Sequence, residues 1–288
     1  MSAGGGFLEA LGIALIAGAA IFGSYYVAWR ALTGMRWRRP ARLPTDPIPQ
    51  AWREIVERGI PIARRLTVPE QEKLLRLVQV FLRDKHIEGC AGLEITEEMK
   101  VTIAAQACVL LLNLDAGCYP GLRTVLVYPH TYQPRSPAWF KYDLGSTEAR
   151  LGESWRQGVV VLSWSAVAAS AANQVDGQNV TLHEFAHQLD QEDGVADGMP
   201  VLQAPSAYRN WAAVIGRHYD DLVEDVERGR RSVLDHYGAK NKAEFFAVAT
   251  ETFFEQPSQL EEKHPDLYDE LRRFYGQDPA ARLRVPPV

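Results

Sequence analysis

The chain has 288 residues, enough for one large domain or two small ones, and a formal net charge of -5, which gives no global attraction to nucleic acid. Its hydrophobic and charged fractions, 47% and 23%, are those of an ordinary globular protein. Three cysteines, Cys90, Cys108 and Cys118, form neither a disulfide framework nor a C-x-x-C pair that would point to a thiolate zinc site, so they read as buried or incidental thiols.

The chain opens with small residues, Met1 to Gly6, and then runs without a charge from Leu11 to Trp29. As a helix rising about 1.5 Å per residue, that stretch covers roughly the hydrocarbon thickness of a bilayer. Tyr25, Tyr26 and Trp29 fall at its end, where an aromatic belt sits, and Arg30, Arg36, Arg38, Arg39 and Arg42 follow. Only the acidic Glu9 precedes it. A cleaved signal peptide wants its positive charge before the apolar stretch, so the reading is one transmembrane helix, anchor and basic flank together spanning residues 1–39. The positive-inside bias places the rest at the cytoplasmic side of a bacterial inner membrane. A soluble cytoplasmic chain with a buried N-terminal helix is the alternative.

Prolines 40, 44, 47 and 49 resist helix, so residues 40–51 read as a linker. A single globular domain is expected over residues 52–278, with a fraying tail at residues 279–288. Within it, Gln71 to Arg83 carries Leu74, Leu75, Val78, Phe81 and Leu82 at helical spacing. Thr96-Glu97-Glu98-Met99 marks a helix start, and the nearly all-apolar run Val101 to Leu114 predicts a buried helix. Thr124–Tyr128 and Val159–Trp164 are β-branched runs that read as strands, and helices dominate from Val180 onward. The pattern predicts an α+β domain, mostly helical with a small sheet.

The chemistry concentrates at His183-Glu184-Phe185-Ala186-His187. Residues four apart on a helix differ by about 400°, so both imidazoles leave one face a turn apart, a spacing that suits one zinc ion. Glu184, about 100° round from His183, is placed to act as general base toward a water activated by the metal. Val180, Leu182, Phe185, Ala186 and Leu189 bury the helix, and buried histidines and a glutamate need partners or a metal.

A catalytic zinc needs a third protein ligand. The H-E-x-x-H-x-x-G-x-x-H layout fails, because Asp190 and Asp193 stand where it requires Gly and His. Asp193, Glu244 and Glu251 remain candidates; Glu244 lies among Ala243, Phe245, Phe246 and Ala247, and Glu251 shares its helix face. The alternative for Glu251 is a solvated or ligand-supporting carboxylate. Asp190 reads equally as an acceptor that orients a ligand histidine and as a helix-end carboxylate.

His183 to Asp190, then Tyr237-Gly238, then Ala243 to Ala247, resembles the Mlc titration factor A family of zinc peptidases, and more distantly the catalytic domain of anthrax lethal factor. Gly92 to Thr96, Leu151 to Trp155 and His264 to Pro279 add to the resemblance, which runs from about Trp52 to Asp278. It implies a zincin-like domain of the gluzincin type holding one Zn2+ on His183, His187 and Glu244. It further implies Glu184 as the base and Tyr237 as the oxyanion donor, a role that suits a phenol protonated at neutral pH. The partners it implies are a peptide or protein substrate and a transcriptional regulator, with no direct nucleic acid binding.

The strand at Val159–Trp164 reads either as an edge that takes an extended peptide or as a core strand. His236 neighbours Tyr237 and reads as half-exposed. His86, His130, His218 and His264 lack metal-like spacing, and the Asn179-Val180-Thr181 sequon abuts a buried helix and reads as accidental. Two functions follow: an active peptidase, aminopeptidase or endopeptidase, and a regulator-binding protein with weak or vestigial hydrolysis. For the anchor, full-length chain is expected in the membrane fraction and a chain lacking residues 1–39 in the soluble one. Recovery of the full-length chain wholly in the soluble fraction refutes it.

Overall fold

The computed structural model describes residues 42–114, 117–130, 158–172 and 177–284. Ten helices and three strands are described: α1 (Gln50–Gly59), α2 (Val68–Asp84), β1 (His86–Gly89), α3 (Glu97–Leu111), β2 (Thr124–Tyr128), β3 (Val159–Ser163), α4 (Trp164–Ala172), α5 (Val180–Asp190), α6 (Ala207–Glu227), α7 (Lys242–Glu255), α8 (Pro257–Lys263), α9 (Pro265–Tyr275) and α10 (Pro279–Arg284). The domain is mostly helical with one small sheet.

The sheet is parallel, in the order β1-β2-β3, with His86 opposite Thr124 and Thr124 opposite Val159. Parallel neighbours need a crossover, and α3 supplies it between β1 and β2. Val125, Val127, Val160 and Leu162 fill the buried face, while their neighbours along each strand are half-buried. β1 has four residues, His-Ile-Glu-Gly, and no β-branched run to announce it. Trp164, expected to end β3, instead begins α4.

Helix α2 starts with a capping box in which the Thr67 backbone N–H donates to Glu70 (2.8 Å). Helix α3 is capped by Thr96 and buried at every position from Val101 to Leu111, as its unbroken apolar run requires. It packs against α1, α2 and α5. Helix α7 is likewise buried from Ala243 to Glu255, and α5 lies against both α3 and α7. Behind α5, Phe185 packs on Tyr119 (centroids 4.8 Å apart) and Phe81 (5.7 Å), and the Tyr119 hydroxyl donates to the Ala107 carbonyl (2.6 Å). That wedge fixes the rotation of α5, so its opposite face must look toward α7.

The segment after Pro279, expected to fray, folds back as α10 through residue 284. Pro279 sits in its first turn, Ala280 is buried, and Arg282 pairs with Glu70 of α2 (2.6 Å). The apolar stretch at Leu11–Trp29 lies outside the described residues. Among the described residues, no helix is long and apolar enough to cross a membrane.

Because Phe185 is fully buried among rigid rings, Phe185→Ala is expected to destabilise the metal-free domain by about 3–5 kcal/mol, and Phe185→Leu by less. Urea unfolding checks this through a lowered midpoint at unchanged slope.

Candidate metal centre

Helix α5 begins at Asn179, whose side-chain oxygen accepts from the Thr181 (3.1 Å) and Leu182 (3.0 Å) backbone N–H groups. This buried cap consumes the residue that the sequon would glycosylate. Helix α7 begins at Asn241, which accepts from the Glu244 N–H (2.9 Å). Two asparagine caps thus set the start of both helices that carry the cluster.

Three side chains meet between them. His183 Nε2 lies 3.0 Å from Glu244 Oε2, His187 Nε2 lies 3.1 Å from the same oxygen, and the two Nε2 atoms are 3.2 Å apart. Among the described residues, this is the one group of three or more His, Cys, Asp or Glu side chains disposed to hold a metal ion. Ligand atoms around a tetrahedral zinc at about 2.0–2.1 Å stand about 3.3–3.4 Å apart, so the observed triangle needs only slight expansion to accept one. Two imidazoles and a carboxylate are also a donor set that zinc takes.

The electrostatics fit the same reading at two of the three groups. Burial alone would raise the Glu244 pKa, but hydrogen bonds from His183 and His187 outweigh it and hold the carboxyl well below its usual range. Burial opposes charge on His183, yet Glu244 and Glu251 hold its pKa well above the ordinary imidazole value. His187 goes the other way, lowered to about 4, chiefly by burial and also by the nearby His183. Glu244 and His187 thus stand in the forms a metal requires, an ionised carboxylate and a neutral imidazole, whereas His183 gives up its extra proton when one binds.

Glu184 is half-buried on α5, and its charge acts on both His183 and Tyr237. Tyr237 stands on a short 3-10 turn, His236–Ala239, that Asp235 caps by accepting from the Tyr237 N–H (2.8 Å). Its hydroxyl donates to Glu244 Oε1 (3.3 Å), and its ring centre lies 6.0 Å from that of His183. Burial and the Glu244 charge raise the phenol pKa, so it keeps its proton at neutral pH. Gly238 lets this turn close on α7: a Cβ there would stand 3.3 Å from Val248 Cβ and 3.2 Å from a Leu222 methyl.

The other candidates fall elsewhere. Asp193 accepts from the Val195 N–H (3.1 Å) in the turn after α5, outside the cluster. Glu251 sits behind His183, with Oε1 2.7 Å from His183 Nδ1. Asp190 accepts from the Gly198 N–H (3.0 Å) and ties down the loop after α5. Gly198 has φ +75, and a Cβ there would stand 2.3 Å from the Lys242 carbonyl oxygen, so only glycine lets the loop approach α7 this closely. His236 is exposed, and His218 pairs with Asp266 (2.8 Å). Sequence reasoning missed Lys240, whose Nζ lies 3.9 Å from Glu244 Oε1 and 5.5 Å over the Tyr237 ring. Its one signal in the sequence is the four-residue spacing to Glu244.

Comparison with known proteins supplies the class. Residues 35–276 match the family model of the glucose-regulated metallo-peptidase M90, so the chain carries a metallopeptidase-like domain. It is 40% identical over 247 residues to an uncharacterized protein of Synechocystis sp. (strain ATCC 27184 / PCC 6803 / Kazusa), covering 84% of this chain and 89% of that one. It is 31% identical over 260 residues to Mlc titration factor A of Yersinia pestis (strain Pestoides F), covering 87% and 93%, and equally to its namesake in Yersinia pseudotuberculosis serotype O:3 (strain YPIII). The chain belongs to this metallopeptidase family.

Asp190 supplies a test of the site's foundation. It is fully buried, and burial raises its pKa to about 7 against the backbone N–H groups of Gly198 and Met199, which lower it. A carboxyl with a raised folded-state pKa binds its proton more tightly when folded, so its contribution to stability falls as pH rises from its ordinary value through about 7. Asp190→Asn removes that loss. The stability of the metal-free variant relative to wild type is expected to climb between pH 4 and 7 and then level off, as measured by urea unfolding across that range.

Proposed function

We propose that the chain is a zinc-dependent peptidase of the gluzincin type that binds one Zn2+ through His183, His187 and Glu244. The observation that carries this reading is the convergence of His183 Nε2, His187 Nε2 and Glu244 Oε2 within 3.0–3.2 Å of one another, flanked by Glu184 and Tyr237. Bound there, zinc supplies Lewis-acid polarisation of a substrate carbonyl and makes water more acidic.

The chain's own groups do the rest. Glu184 takes the proton from the attacking water and later passes it to the leaving amine. Tyr237, protonated at neutral pH and 37% exposed, turns its O–H from Glu244 to the carbonyl oxygen as that oxygen gains charge. β3 packs on α5 and is one of the two outer strands among the described residues, which supports it as the edge that aligns an extended peptide. We also propose that residues 1–39 anchor the domain at the cytoplasmic side of a bacterial inner membrane, through the uncharged stretch at Leu11–Trp29. Residues 40–51 then serve as the linker.

A second reading is favoured by one finding, the name of the Yersinia relatives. In it, this chain titrates a transcriptional regulator, and hydrolysis is weak or vestigial. The presence of both Glu184 and Tyr237 favours the peptidase, because a pure binder uses neither.

Cleavage of a broad peptide library by variants matched in zinc content decides between the two. Glu184→Gln is expected to lower kcat/KM by about 10²–10⁴-fold, and Tyr237→Phe by about 10²–10³-fold. Equal cleavage by wild type and Glu184→Gln, or no cleavage by either, overturns the peptidase reading.

A further inference from the structure

Helix α7 turns three carboxylates toward α5. Glu244, Glu251 and Glu255 are spaced by seven and four residues, which on a helix leaves them within about 40° of one another. Each meets a different group on α5 or at its start. Glu244 reaches the Nε2 atoms of both histidines, Glu251 reaches Nδ1 of His183, and Glu255 accepts from the Asn179 side-chain amide (2.9 Å). The His183 ring therefore bridges two carboxylates two turns apart, one at each nitrogen.

We propose that Glu251 is the positioning residue of the metal centre: by accepting the Nδ1 proton of His183, it selects the tautomer whose Nε2 lone pair faces the ion. This rests on the zinc reading of the same site and extends it to a residue outside the ligand set. The geometry leaves Glu251 little other use. It is 7% exposed, its Oε1 lies 2.7 Å from Nδ1, and its Oε2 accepts from the Asn179 backbone N–H (2.5 Å). Asn179 in turn caps α5 through its side-chain oxygen. One carboxylate thus sets the ring of the first ligand and also holds the start of the helix that carries both histidines. A carboxylate behind a ligand histidine fixes the ring and raises its basicity, and its loss weakens metal binding about 10–100-fold.

The test reads zinc affinity, not turnover. Full-length protein is titrated with zinc against a chromogenic chelator. Glu251→Ala is expected to bind about 10–100-fold more weakly than wild type. Glu251→Gln, which keeps an acceptor of the same shape without the charge, is expected to recover part of that loss. Glu255→Gln removes a buried carboxylate from the same face without touching His183, and its affinity is expected to stay within about twofold of wild type. A second measurement needs no variant: in zinc-loaded wild type, 15N NMR is expected to show His183 protonated at Nδ1 and slow to exchange with solvent. Wild-type zinc affinity in Glu251→Ala, an equal loss in Glu255→Gln, or a His183 without the Nδ1 proton overturns this proposal and leaves the peptidase reading standing. A wild-type chain that takes up no zinc overturns both.

Discussion

The structure depends on the contact between α5 and α7, two buried helices whose facing sides are polar. Placing Glu244, Glu251 and Glu255 inside a protein costs several kcal/mol each unless every charge is matched. The match comes from His183, His187, Asn179 and the N-terminus of α5. Neither helix can shift along the other by a turn without leaving a carboxylate opposite an apolar side chain. The polar seam therefore sets the register of the two helices, which hydrophobic packing alone would leave loose.

The rest of the fold holds that seam together from behind. Phe81, Tyr119 and Phe185 wedge α5 from behind. Helix α3, buried on all sides from Val101 onward, gives them a rigid floor, and the short parallel sheet packs on α5. Beyond the helix, Asp190 ties the following loop down at Gly198, and the Trp211 indole donates to the Gly198 carbonyl (2.9 Å). The seam opens toward solvent where Tyr237 and Glu184 stand.

One helix pair therefore serves both stability and chemistry. The contacts of Glu244 Oε2 with His183 Nε2 and His187 Nε2 join the two helices. The same atoms present two nitrogens and an oxygen to a cation when one arrives. The membership of the chain in a metallopeptidase family agrees with that arrangement.

What the sequence by itself determined was whatever rests on local periodicity. His183 and His187 share a face because a helix repeats every 3.6 residues, and α3 is buried because its run from Val101 is apolar all round. Glu251 was already visible as a face-mate of Glu244 for the same reason. The tertiary structure decided where each carboxylate lies, because Asp190, Asp193, Glu244 and Glu251 are chemically alike and differ only in what the fold sets opposite them. It brought Tyr237 to Glu244 through a 3-10 turn with no periodic signature. It built β1 from four residues without a strand pattern, since pairing with β2 supplies what propensity lacks. It also made a helix of the residues after Pro279, because burial of Ala280 and the Arg282–Glu70 pair outweigh the freedom of a proline-flanked end.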